Sequence, residues 1–411
     1  MTPAISARSP TPAFSVWRRR SSPSIPDRWR PALLVTAAVA VGWIGWSGHV
    51  LMLPLAMLFP LLWACSPTRN AAAFVSMGYF LAASRGLPQG IATFFGASVW
   101  AGILLWMLAS LSFVAVHAVF WTPRPGWRRA LRYLFAAVLM AVPPFGIVGW
   151  AHPITAAGVL FPGWGWWGVF ATTASLAVMT TRFRPAAAIA LGGFWLWSVA
   201  SWTSPTLPEG WSGVDTRLGA GLGRDGALER HRELLSHVST RMGEGAKVLV
   251  LPESALGPLT PTVERFWLDA LTNLDVIVIA GAAVLNRDGY DNVMAETGPR
   301  GGGIRYRARM PVPISMWQPW RAWFSASGGA RATFFGEPVI EVAGRGVAPL
   351  ICYEQLLVWP VLQSALHRPD VIVGISNAWW ATKTSVPSIQ IASLKAWSRL
   401  FGIPLVTAFN R

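Results

Sequence analysis

The chain has 411 residues, of which 53% are hydrophobic and only 13% charged, and its 34 basic side chains outnumber 18 acidic ones for a net charge of +16. Soluble domains carry about 25% charged residues, so this composition, with 25 Trp and 20 Phe, argues against a water-soluble protein and for a membrane protein. A basic balance can serve nucleic acid, but here the arginines lie between apolar segments, which is a pattern of membrane topology, and no direct nucleic-acid binding is expected.

Residues 1–30 are rich in Pro, Ser and Arg without apolar periodicity and read as a disordered, basic cytoplasmic tail. Residues 31–203 form a membrane domain. About 20 residues cross a bilayer core as a helix, and seven apolar segments are expected, near 31–48, 51–66, 71–84, 91–118, 131–150, 155–179 and 186–203. The third is short enough to be tilted or re-entrant. Arg18, Arg19, Arg20, Arg28 and Arg30 precede the first segment and Arg69 follows the second. Arg124, Arg128, Arg129 and Arg132 lie between the fourth and fifth, Arg182 and Arg184 between the sixth and seventh. The alternate loops are nearly uncharged, with His49, Arg85 and His152 the main exceptions. Positive charge stays in the cytoplasm. The N-terminus is therefore expected inside, and an odd number of crossings puts the rest of the chain outside. In a bacterium this means a multi-pass inner-membrane protein with a periplasmic C-terminal domain.

Residues 204–411 have a different texture. A strand is expected in "KVLVLPES" (247–254), an amphipathic helix over 260–274 with Thr260 as its N-cap, and a strand over 275–285. "NVMAETG" and "GIRYRARM" read as a polar, exposed strand pair around the turn "GPRGGG". "GVAPLICYE" is a strand entering a helix, "DVIVGISNAWW" a strand, "PSIQIASLKAWSRLFG" a helix and "IPLVTAF" a strand. This alternation, interrupted by a meander, indicates a layered α/β domain.

Three stretches at strand ends carry chemistry: "LPES" with Glu253, "RYRARMPVP" with Arg305, Arg307 and Arg309, and "LICYE" with Cys352. Side chains at strand ends converge on a cleft in open α/β sheets. A carboxylate there can take a thiol proton and return it to a leaving group, and a cation can lower the thiol pKa and stabilise an oxyanion. The turn after Cys352 can aim the Tyr353 N–H at the same oxygen. Each residue alone also has a structural reading: a core cysteine, a capping or ion-paired glutamate, a solvated arginine face. Cys65 reads as a small buried hydrophobe, so the two cysteines make no disulfide framework. "GLGRDG" (221–226) satisfies G-x-G-x-x-G but is weak alone, His231, Glu233 and His237 read as a solvated helix face, and no histidine spacing suggests a metal. No cofactor is expected.

"LPES", "YRARMPVP", "PLICYE" and "GISNAWW", in that order, resemble the nitrilase superfamily over about 210–410, and within it the membrane-embedded branch typified by apolipoprotein N-acyltransferase. "RPALLVTAAVAVGWIGWSGHVLMLPLAMLFP" and "FLAASRGLPQG" resemble the TraB family of conjugal transfer proteins, so that this likeness covers most of the chain. The resemblance implies a membrane bundle followed by an α-β-β-α sandwich with Glu253 as general base and Cys352 as nucleophile. Glu354 then orients the site, and Tyr353, Asn377 and Trp379 border the pocket. The family's catalytic lysine aligns with Ala308, and no lysine stands between Glu253 and Cys352, which leaves Arg307 or Arg309 to supply the charge. The family's glutamate after "VPFG" falls on Met316, and its further C-terminal strands and last helix have no counterpart before "TAFNR". An acyltransferase or amidase acting on a lipid or lipidated substrate and a non-catalytic scaffold of the conjugation machinery are the two expectations. A transporter is disfavoured because the apolar segments hold almost no ionisable groups.

Overall fold

The computed structural model describes residues 28–222, 228–324 and 329–411. The basic stretch 1–27 and most of "GLGRDG" lie outside the described residues. The first half is a layer of helices: α1 (Arg30–Gly45), α2 (Phe59–Cys65), α3 (Arg69–Ala83), α4 (Leu87–Phe95), α5 (Val99–Phe120), α6 (Trp127–Ala141), α7 (Ala157–Leu160), α8 (Gly165–Val178) and α9 (Arg184–Ala200). A 3-10 turn, Val50–Leu58, leads into α2. Thr68 caps α3 by accepting from the Ala71 N–H at 3.2 Å. The apolar run 91–118 breaks at Gly96, whose left-handed φ of 60° closes α4. The run 155–179 likewise divides into α7 and α8. Among the described residues one helix, α5, is long and apolar enough to cross a bilayer.

The layer has its own core, in which Phe59, Tyr79, Phe80, Phe113 and His117 pack ring on ring. Its central polar side chains pair with one another and with backbone, as burial requires. The Trp46 indole donates to the Tyr79 hydroxyl at 2.8 Å, which donates to the Ala151 carbonyl at 3.0 Å. The outward faces remain apolar: Trp100 on α5, Trp167 on α8 and Ile189 on α9 are each more than three-quarters exposed.

The second half is β1 (Trp211–Gly213), α10 (Leu228–Gly243), β2 (Val248–Val250), α11 (Pro261–Leu271), β3 (Ile277–Asn286), β4 (Gly289–Gly298), β5 (Gly301–Arg307), β6 (Ile340–Val342), β7 (Arg345–Ile351), α12 (Val358–Ala365), β8 (Val371–Asn377), α13 (Val386–Phe401) and β9 (Leu405–Asn410). One sheet runs β1-β2-β3-β4-β5 and the other β6-β7-β8-β9. β1, β2 and β3 are parallel, as are β7, β8 and β9. Strand alternation divides the apolar side chains between two cores. Val248 and Val250 face the other sheet with Val373, Ile375 and Val406. Leu249 and Leu251 face α10 and α11 through Leu234, Val238 and Trp267. On the far side, α12 and α13 cover β7 and β8, and α13 also meets Ile154, Ala157 and Val169 of the helical layer. The layers are thus helix, sheet, sheet, helix, with the N-terminal helices packed on the last.

Two expectations need correction. The "NVMAETG" strand is not exposed: Asn292 to Ala295 are buried, because β4 is an inner strand paired on both edges and covered on both faces. His231 is not on a solvated face either. It is buried and accepts from the Trp267 indole at 3.1 Å, on the side of α10 that faces the sheet. The sequence reading also lacked the short strands β1 and β6, which have three residues each.

Candidate active site

The ends of β2, β7 and β8 converge. Three residues after β2 the chain places Glu253 in a loop where Ser254 has a left-handed φ of 63°. Gly281 of β3 faces this loop so closely that a Cβ there would lie 2.4 Å from the Glu253 Cα. Glycine therefore lets the carboxylate loop lie against the strand. β7 runs directly into Cys352, which opens the 3-10 turn Cys352–Leu356 with a φ of 47°. A left-handed φ at a non-glycine residue is strained and recurs at functional sites; here it turns the thiol out of strand register toward Glu253.

The Glu253 carboxylate is held from both sides. Asn292 Nδ2 donates to Oε1 at 2.8 Å and the Asn377 N–H donates to Oε2 at 2.9 Å, while the Cys352 thiol is a third hydrogen-bond partner. Burial pushes the carboxyl above its ordinary range, and these three hydrogen bonds to the charged form pull the other way. Burial, with the nearby charge of Glu253, also pushes the Cys352 thiol well up, against smaller opposing effects of Ser376 and Gln390. The resting thiol is thus protonated at neutral pH and stands against the Glu253 carboxylate. Gln390 of α13 donates to the Cys352 carbonyl at 2.9 Å and approaches its Sγ at 3.8 Å. Tyr290 beside the carboxylate is pushed up to about 12, by burial first and by the Glu253 charge second.

Glu354 does not face the thiol. Its carboxylate accepts from the Tyr306 hydroxyl at 2.7 Å and from the backbone N–H groups of Arg309, Met310 and Ile351 at 2.6, 3.0 and 2.7 Å. It therefore ties the segment after β5 to the end of β7 and holds the Cys352 turn from behind.

The expected cationic helper is not at the thiol. Arg307 turns outward to pair with Asp291, which Arg331 also binds. Arg309 is fully buried, yet its guanidinium is spent on the Tyr306 hydroxyl, the carbonyls of Pro349 and Pro360, Gln363 and Ser364. Ala308, at the aligned lysine position, is buried, and its N–H donates to the Asn292 carbonyl at 2.7 Å. The group that reaches Glu253 from the middle strands is instead the neutral amide of Asn292. The sequence reading missed Asn292, Tyr290 and Gln390. The continuous covered run of β4 could have flagged Asn292, a polar residue within it.

Asn377 contributes its backbone to Glu253, while its side chain accepts from Asn410 Nδ2 at 2.7 Å and donates to the Leu222 carbonyl at 3.4 Å. Trp379 borders the cavity and stacks on Phe94 of α4 with centroids 6.2 Å apart. The Tyr353 hydroxyl donates to the Ile147 carbonyl of the helical layer at 2.8 Å, and its N–H lies in the first turn of the 3-10 helix, where N–H groups lack intrahelical acceptors. Glu253 and Cys352 open onto a cavity of about 390 Å³ whose other walls are mainly apolar, among them Trp46, Phe95, Leu105 and Trp106 from the helical layer. Among the described residues no three His, Cys, Asp or Glu side chains gather to hold a metal.

The profile of the carbon-nitrogen hydrolase family matches residues 81–399. The conjugal transfer protein TraB of Agrobacterium fabrum is 58% identical over 98% of this chain and 99% of its own. A relative from Sinorhizobium fredii named "Probable conjugal transfer protein TraB" is 56% identical over 93% of this chain and 99% of its own. Among solved structures, an amidase of the nitrilase superfamily from Nesterenkonia superposes with a TM-score of 0.36 at 13% identity, covering 50% of this chain and 78% of that one.

Proposed function

The chain belongs to the TraB family of conjugal transfer proteins and carries a carbon-nitrogen hydrolase domain, and from this premise we propose that it is a membrane-embedded enzyme that transfers an acyl group through Cys352. The observation that carries the reading is the contact of a strained, left-handed cysteine with a buried carboxylate at the mouth of an apolar cavity. The Glu253 carboxylate takes the thiol proton as the sulfur attacks a carbonyl carbon. The tetrahedral adduct then collapses, and Glu253 gives the proton to the departing amine or alcohol, which leaves a thioester. An incoming amine or water reverses the sequence: it loses a proton to Glu253, attacks the thioester, and the sulfur departs and recovers the proton. Gln390 Oε1 is buried without a partner among the described residues and lines the same cavity, which suits an N–H or O–H of the substrate. The apolar walls contributed by the helical layer suit a lipid chain or a lipidated protein.

The same reading places residues 31–203 in the bacterial inner membrane with seven segments, the N-terminus cytoplasmic and the α/β domain periplasmic. The alternation of arginine-rich and nearly uncharged loops supports it, as do the exposed apolar faces of α5, α8 and α9. Reporter fusions at residues 124 and 205 test the orientation: a cytoplasmic reporter active at both positions overturns it.

A scaffold that has lost catalysis is the competing reading, favoured by the lack, among the described residues, of a cation in contact with the thiol. The two part on one experiment. The full chain in nanodiscs is given a long-chain activated ester, and its intact mass is followed with and without hydroxylamine. One hydroxylamine-sensitive acyl adduct, absent from Cys352→Ala and from Glu253→Gln, supports the enzyme. Absence of any adduct on the parent protein supports the scaffold. A mating assay in a strain lacking this protein then tells whether Cys352→Ala still supports plasmid transfer.

A further inference from the structure

The opposite end of the helical layer holds a second cavity, of about 410 Å³, lined by Arg30, Arg129, Arg182, Arg184, Trp121 and Thr181 among others. No Asp or Glu occurs from residue 28 to residue 208. None of these four arginines is in an ion pair among the described residues. Their contacts are with neutral groups. Arg129 donates to the carbonyls of Ala64 and Pro123 at 2.8 and 2.7 Å, Arg30 to the Cys65 carbonyl at 3.4 Å, and Arg184 to the Cys65 sulfur at 2.9 Å. The first and third of these carbonyls belong to the last turn of α2, where the helix dipole is negative. Cys65 is accordingly half-buried against arginine and not the core hydrophobe its sequence context suggested.

Neutral acceptors use only part of the donor capacity. A guanidinium carries five N–H groups, and Arg129 Nε is buried without a partner among the described residues. So is the indole N–H of Trp121, a residue 6% exposed on the wall of the same cavity. A buried, unsatisfied donor costs free energy unless something accepts from it. Four cations and two orphaned donors around one space call for an anion with several acceptor oxygens. The chemistry that fits planar guanidinium groups and multiple donors is phosphate.

We propose that this cavity binds a phosphate group, carried by an anionic phospholipid headgroup or by a soluble phosphate. The site lies at the start of α1, the end of α2, the start of α6 and the start of α9, so an occupant would clamp four separate helix ends together. The inference stands apart from the acyl-transfer reading, since no residue of the Glu253–Cys352 site takes part.

The test uses the full chain, delipidated in a neutral detergent, with native mass spectrometry and thermal unfolding as readouts. Phosphatidylglycerol, phosphatidylcholine and inorganic phosphate are titrated separately. Arg182→Gln and Trp121→Phe remove donors that hold no other element in place, and each is expected to weaken anion binding, tenfold for the arginine and a few-fold for the tryptophan. Binding of phosphatidylglycerol but neither of the others identifies a lipid site; binding of inorganic phosphate weakened by both substitutions identifies a soluble anion. Equal binding of phosphatidylcholine and phosphatidylglycerol, or anion binding indifferent to both substitutions, overturns the proposal. Because acyl labelling of Cys352 is measured separately, failure here leaves that reading untouched.

Discussion

The Tyr353 hydroxyl donates to the Ile147 carbonyl across 2.8 Å, although 206 positions separate them in sequence. The residue directly after Cys352 is thereby anchored to the helical layer, and the two halves of the chain share the wall of one cavity. Tyr353→Phe removes only this bond. A neutral hydrogen bond contributes about 1 kcal/mol, and this one is half-buried, so the unfolding midpoint should drop by a few degrees. Acyl labelling should slow more than that loss implies, because the turn that carries Cys352 loses its tether. Unchanged labelling kinetics would show that the two halves are coupled by packing alone.

Cys352→Ala should abolish the hydroxylamine-sensitive adduct, and Glu253→Gln should lower its rate by about 10²–10⁴, the usual contribution of a positioned base. Both are checked by intact mass against time. A Glu253→Gln rate within threefold of the parent would mean that the thiol reacts without its carboxylate.

Burial raises the Glu253 carboxyl in the folded protein, which fixes two signs. The reaction needs the carboxylate, so the acid limb of the labelling rate should lie above the ordinary glutamate value of about 4.3. Asn292→Ala removes a hydrogen bond to the charged form and should move that limb higher still. For stability, a raised folded value contributes fully below the unfolded value and is lost as pH rises through the folded one. Thermal midpoints measured upward from pH 4 should therefore show a declining contribution in the parent that is missing in Glu253→Gln. An acid limb at or below the ordinary value contradicts the buried-base description.

Gly281→Ala should cost both stability and activity. The added methyl would lie 2.4 Å from the Glu253 Cα and 2.6 Å from the Ser254 nitrogen, and backbone cannot yield as a flexible side chain does. Overpacking of this kind costs about 1–3 kcal/mol. The displaced loop carries the base, so labelling should slow by at least tenfold in protein that remains folded. A variant that labels at the parental rate would show that the loop has room to move.

The chain order of β2, β3, β7, β8 and β9 was legible because it follows from local patterns, whereas the pairing of Glu253 with Cys352 came from the family resemblance together with their places at strand ends. Short apolar runs such as "VLVL" and "VIVGI" suit covered strands, and each is followed within two residues by a polar one, Glu253 or Asn377. Thr260 capped α11 as its position suggested, accepting from the Val263 N–H at 3.3 Å. What resisted reading depends on contacts between distant elements. Nothing near Arg309 announces that its fork would be consumed by carbonyls and hydroxyls from β7 and α12, and nothing near Asn292 announces a glutamate 39 positions away. Burial of His231 likewise depends on where α11 puts Trp267. The breaks inside the long apolar runs were obscured because hydropathy is continuous across them while the backbone is not.

The placement of Arg309 yields a prediction that separates the sequence-based idea from the folded site. If its charge served the thiol, Arg309→Lys should retain activity and leave stability largely intact, since the cation survives. The structure instead gives the guanidinium five hydrogen-bond partners in a fully buried setting. An ammonium has three donors on a single atom and cannot span acceptors in β7, α12 and the Tyr306 hydroxyl at once. Acceptors left unpaired in the interior cost about 1–3 kcal/mol each, so Arg309→Lys should be destabilised by about 2–4 kcal/mol, visible as a large drop in the unfolding midpoint. Arg307→Gln is the companion. Arg307 is half-exposed and shares Asp291 with Arg331, so its loss should cost less than about 1 kcal/mol and leave labelling unchanged. A stable, active Arg309→Lys protein, or an inactive Arg307→Gln protein that folds normally, would restore an arginine to the chemistry and displace Asn292 from its place as the main side-chain support of the base.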